Sequence, residues 1–150
     1  MVGLPAVAGA GALSASAGAE GTVAITQDGT ELHGVAVTGA STISAIHSTG
    51  ANDVWLDRLW VHDAASSGVV FEGDTDTASL RLESSLVEAN SASGVSVVGT
   101  VATMSATQVR STKARADKKA GYGVSASTNT TARGAKVSLA SCVLEGNHEA

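Results

Sequence analysis

The chain repeats one arrangement of apolar and polar positions, and its clearest copy is Leu82 to Val97, LESSLVEANSASGVSV. With Leu82 as position zero, apolar or small residues stand at minus two (Leu80), zero, plus three (Ser85) and plus five (Val87). A turn at Ala89-Asn90 follows, and then Gly94-Val95-Ser96-Val97. The same arrangement puts Leu32, Leu56, Met104 and Leu139 at position zero. At plus three and plus five stand Val35 and Val37, Leu59 and Val61, Thr107 and Val109, and Cys142 and Leu144. Position zero therefore recurs after 24, 26, 22 and 35 residues, a period that belongs to solenoids and other arrays.

Within each repeat the apolar period is two, in three short bursts separated by Gly, Asn, Asp, Ser and Thr, which predicts three short strands joined by turns. No stretch holds the three-and-four spacing of an amphipathic helix for long enough to predict one. One repeat then makes one coil. The expected fold class is all-β, a single-stranded parallel β-helix of about five to six coils, each coil contacting only its neighbours.

On Leu82 to Val97 and its copies, which span nearly the whole chain, the sequence resembles the right-handed parallel β-helix repeat proteins of the pectin-lyase-like superfold, in their generic bacterial form. The resemblance implies a right-handed coil and leaves function open. An asparagine ladder common in that family is represented here by Asn90 and Asn147, while Ala64 and Thr112 occupy the corresponding turns. The polygalacturonase-like set of paired aspartates, His-Gly and Arg-x-Lys is not present, and His62-Asp63 and Arg81-Leu82-Glu83 do not replace it. The hexapeptide rhythm of a left-handed β-helix is absent as well.

Composition narrows this picture. A length of 150 residues suggests one domain, 1–150. A single proline and 3% aromatics suit a thin core of small and β-branched side chains and argue against a deep catalytic pocket. Neither end carries a recognisable polar cap, so the expectation is a fragment of a longer β-helix, or ends covered by a protein partner. Residues 1–20 read as an irregular first coil, with a flexible tail or a signal remnant as alternatives. They lack the Lys or Arg that opens a secretory signal. No run of about 18 apolar residues offers a transmembrane segment.

Charge is uneven along the chain. Eleven acids lie between Glu20 and Glu88 against Arg58 and Arg81, and seven bases between Arg110 and Lys136 against Asp117. The basic stretch 113–122 is the expected inserted loop. Tyr122 is the only aromatic there, so nucleic acid is not an expected partner.

In a parallel coil, equivalent positions stack about 4.7–4.9 Å apart, so columns matter more than linear motifs. Minus one reads Glu31, Trp55, Arg81, Thr103, Ser138, and plus one reads His33, Asp57, Glu83, Ser105, Ala140. Together they gather Trp55, Asp57, Arg81 and Glu83, with His33 at the edge. As a substrate site, that patch would take a carbohydrate, the indole stacking on a sugar face and the charged groups binding hydroxyls or uronates. Asp57 and Glu83 could stand near the separation of about 5 Å that retaining glycosidases use. As a surface ladder, the same patch would pair Trp55 with Arg81 through a cation–π contact.

Other columns carry less. His62, Glu88, Arg110 and Glu145 alternate in charge as a solubilising ladder would. The plus-four column, Ala36, Trp60, Leu86, Gln108 and Val143, points outward yet is largely apolar, which nominates Trp60, Leu86 and Val143 as partner-docking residues. Glu72, Asp74 and Asp76 could supply oxygen ligands to Ca²⁺, but the EF-hand spacing is missing and a hydrated turn is the preferred reading. The four histidines share no zinc spacing, no cofactor is expected, and Cys142 falls on an inward column as core filler. The expected function is a non-catalytic structural or interaction segment of an extracellular or cell-envelope protein. Polysaccharide binding is the alternative, and a polysaccharide lyase or glycoside hydrolase a further one.

Overall fold

The computed structural model describes residues 13–14, 23–38, 44–73 and 77–148. The repeats form strands where the two-residue period is strongest. They are β1 (Leu13–Ser14), β2 (Val23–Ile25), β3 (Glu31–His33), β4 (Ala36–Thr38), β5 (Ser44–Thr49), β6 (Val54–Asp57), β7 (Trp60–His62) and β8 (Ser67–Glu72). Then follow β9 (Ser79–Glu83), β10 (Leu86–Glu88), β11 (Ser93–Val98), β12 (Val101–Ser105), β13 (Gln108–Arg110), β14 (Tyr122–Ser127), β15 (Lys136–Ala140) and β16 (Val143–Glu145).

These strands build three sheets, ordered β1-β2-β5-β8-β11-β14, β3-β6-β9-β12-β15 and β4-β7-β10-β13-β16. The chain visits the sheets in rotation, so the fold is a parallel β-solenoid with three strands per coil. Between named strands, only β1 against β2 is antiparallel. The strands make about four turns rather than the five to six expected. Of the coil assigned to residues 1–20 only Leu13–Ser14 is described, and it pairs antiparallel with β2 instead of adding a parallel coil. Separately, the last repeat spends its extra length on loops. Eleven residues (111–121) separate β13 from β14 where four (89–92) separate β10 from β11. Eight (128–135) separate β14 from β15 where two (99–100) separate β11 from β12. The insertion is thus split between two corners, and 113–122 holds only part of it.

The pairing follows the sequence columns. Leu56, Leu82 and Met104 are register partners of one another, as are Val61, Val87 and Val109. They fill the inside with Ile46, Val69, Phe71, Val95 and Val97, all at most 1% exposed. Apolar burial of this kind contributes roughly 25 cal/mol per Å², and no helix is needed to close it.

Two corners shape the coil. At plus two, Gly34, Arg58, Ser84, Ala106 and Ser141 all have φ between 48° and 63°, and the first four each donate N–H to a carbonyl of the next coil at 3.0–3.1 Å. Stacking, rather than glycine, holds the left-handed conformation there. At plus eight, Asn90 is fully buried. Its Oδ1 accepts the Ala64 N–H at 2.9 Å and its Nδ2 donates to the Val61 carbonyl at 3.3 Å. Asn147 repeats the motif on Thr112 N–H (3.1 Å) and Val109 O (3.2 Å). Glycines make room for it: a Cβ on Gly68 would stand 2.7 Å from Asn90 Nδ2, and one on Gly123 2.5 Å from Asn147 Nδ2.

Candidate functional site

The patch expected around Trp55 is assembled by the second sheet. Register pairs Glu31 with Trp55 and Trp55 with Arg81, and likewise His33 with Asp57 and Asp57 with Glu83. All five nominated residues therefore share one outward face on β3, β6 and β9. Their side chains are occupied with one another. The Trp55 Nε1–H donates to Glu83 Oε2 at 3.1 Å, the Arg81 guanidinium lies 4.9 Å from the indole centroid, and the His33 ring meets the indole edge-on at 4.7 Å. Arg81 also reaches Asp53 at 3.4 Å.

Asp57 sits at the centre of a second knot. Arg58 Nε donates to its Oδ2 at 2.7 Å, and His33 Nδ1 lies 3.4 Å from the same oxygen while His33 Nε2 lies 3.2 Å from Glu31 Oε2. Desolvation opposes ionisation of Asp57, but hydrogen bonds from Arg58 and His33, with their charge, outweigh it and hold the carboxyl below its ordinary range. A carboxyl held ionised in this way is a poor general acid. With Asp57 bound to Arg58 and Glu83 bound to Trp55, the two acids have separate partners, and the indole is already in contact with Arg81 over its ring and with His33 in an edge arrangement.

The neighbouring face on the third sheet is more open. Its plus-four column is confirmed by register from Ala36 through Trp60, Leu86 and Gln108 to Val143. Trp60 is 46% and Val143 48% exposed, whereas Leu86 is half-buried. His62 stacks on Trp60 with ring centroids 4.0 Å apart, and the Trp60 Nε1–H donates to Glu88 Oε1 at 2.8 Å. Arg110 Nε donates to Glu88 Oε2 at 2.8 Å. The bonds from Arg110 and Trp60 lower the Glu88 pKa despite partial desolvation. Asp63 is lowered chiefly by its hydrogen bond with His62, helped by the charge of Lys113. Within the column of His62, Glu88, Arg110 and Glu145, Arg110 bonds to Glu88, while His62 lies 2.9 Å from Asp63 Oδ2 and Glu145 accepts from Gln108 at 2.6 Å.

Between the second and third sheets, at the left-handed corner, an open groove of about 460 Å³ crosses successive coils. Its walls include Ala36, Arg58, Trp60, Ser84, Leu86 and Gln108. Sequence columns did not reveal it, because they order side chains within a sheet and say nothing of the angle at which two sheets meet. Arg58 was also missed as the partner of Asp57. Its place at the plus-two turn, directly after that acid, was the available signal.

The remaining nominations are scattered. Glu72 lies 3.8 Å from His47, and Asp74 and Asp76 of the suggested Ca²⁺ loop fall outside the described residues. No group of three His, Cys, Asp or Glu side chains suited to a metal occurs among the described residues. The basic stretch projects as a loop, where Lys113 approaches Asp63 at 3.7 Å and Asp117 Oδ1 accepts the Lys119 N–H at 3.0 Å. Cys142 is half-buried against the core, and no helix among the described residues is long and apolar enough to cross a membrane. Comparison with family models, with curated proteins and with solved structures finds no match to this chain.

Proposed function

We propose that the chain is a non-catalytic structural and interaction segment of an extracellular or cell-envelope β-helix of the right-handed, pectin-lyase-like type, and that its last coil receives a further β-coil from a protein partner or a parent chain. One observation carries the docking half of this reading. Position zero and plus five are at most 1% exposed in the inner coils, at Leu56, Leu82 and Met104 and at Val61, Val87 and Val109, yet Leu139 is 46% and Leu144 42% exposed. These two leucines lie on β15 and β16, which with β14 end the three sheets. Edge strands of this kind present unpaired N–H and C=O groups beside apolar side chains, a template that another strand satisfies better than water does.

Two measurements test the proposal. Hydrogen exchange on the native assembly and on the isolated chain should find the β15 and β16 amides slow in the first and fast in the second; equal rates in both would sink the docking half. Incubation with neutral and acidic polysaccharides should release no new ends. Turnover that disappears in Asp57→Asn or Glu83→Gln would overturn the non-catalytic half.

A second reading, polysaccharide binding, is favoured by the groove beside Trp60. That indole has one ring face against His62 and is 46% exposed, while the Trp55 ring is engaged by Arg81 and His33. A sugar offering its C–H face to Trp60 would find the Gln108 amide, the Ser84 hydroxyl and the Arg58 guanidinium along the same groove. On a glycan array, Trp60→Ala should abolish binding that Trp55→Ala leaves intact. Binding unaffected by Trp60→Ala, or none at all, removes this reading.

A further inference from the structure

We draw no further inference here: the strongest candidate, the apolar end of the last coil where Leu139, Val143 and Leu144 reach solvent, already belongs to the interaction proposed above, and nothing in the structure shows what covers it.

Discussion

Two leucines of the same column give the sharpest test of how the solenoid holds together. Leu82 and Leu139 both occupy position zero, but Leu82 is 0% exposed between Leu56 and Met104, whereas Leu139 is 46% exposed. Truncation to alanine removes three carbons, worth about 0.8 kcal/mol each when fully buried. At Leu82 a cavity is added, because the coils on either side are pinned by their own ladders, so the expected loss is about 3–5 kcal/mol. At Leu139 about half of that transfer energy is already forfeited to solvent and no closed cavity forms, so the loss should be about 1 kcal/mol. Urea denaturation followed by circular dichroism measures both, provided that the m-value stays constant across the variants. Glu83→Ala is the outward control. It removes a hydrogen bond from Trp55 and should cost about 1 kcal/mol or less. Equal losses for the two leucines, or a larger loss at Leu139, would refute the assignment of an inner and an open coil.

Three further outcomes follow from the corners and the carboxylates. A Cβ on Gly94 would collide with Val109 Cγ1 and stand 2.7 Å from the Gly123 carbonyl oxygen, so Gly94→Ala should cost about 3 kcal/mol. Gly34→Ala meets nothing within 4 Å and should lose only about 1 kcal/mol to backbone strain; the reverse order in a melting experiment would contradict the packing. Asn90→Ala strands the buried Ala64 N–H and the Val61 carbonyl, at about 1–3 kcal/mol for each group, and should unfold the chain at markedly lower urea than Asn147→Ala, whose site is only partly buried. Asp28, which accepts hydrogen bonds from the backbone N–H and side-chain amide of Asn52, has a folded pKa below its ordinary one, as do Asp57, Asp63 and Glu88. They therefore stabilise the fold fully above about pH 4.5, and that contribution is lost as pH falls through the depressed values. Glu88→Gln should flatten the acid limb of a stability-versus-pH curve, and an unchanged limb would remove Glu88 from the account.

How much of this was legible in the sequence varies with the kind of interaction. The columns through Leu82 and Val87 were, because a two-residue period on strands leaves one choice of inward face and a register slip would turn Leu82 outward. Asn90 was legible as a turn residue, though its reach back to Val61 and Ala64 depends on the preceding coil. The left-handed corner was not. Arg58, Ser84 and Ala106 carry no sign of a positive φ, since stacked hydrogen bonds impose what glycine would otherwise allow. The residues around Trp55 were legible as neighbours, and their bonding was not. Register decides which residues meet, whereas side-chain bonding decides that Trp55 turns its N–H to Glu83 and its ring to Arg81. The division of the last insertion between 111–121 and 128–135 was also out of reach, because both segments are polar and turn-rich, and sequence offers no marker for the strand between them beyond Gly123-Val124.

The ladder of left-handed corners has a use apart from turning the chain. Because its conformation is enforced by the coil beyond it, the corner accepts glycine, arginine, serine and alanine in successive coils without changing direction. A left-handed L-residue gives up roughly 1–2 kcal/mol, so Ser84→Gly or Ala106→Gly should raise the unfolding midpoint. The other face of that tolerance is geometric. Substituents introduced at 58, 84 and 106 would stand in single file along one rim at about 4.8 Å intervals, which makes the corner a graduated rule on which chemical groups can be set out at known spacing.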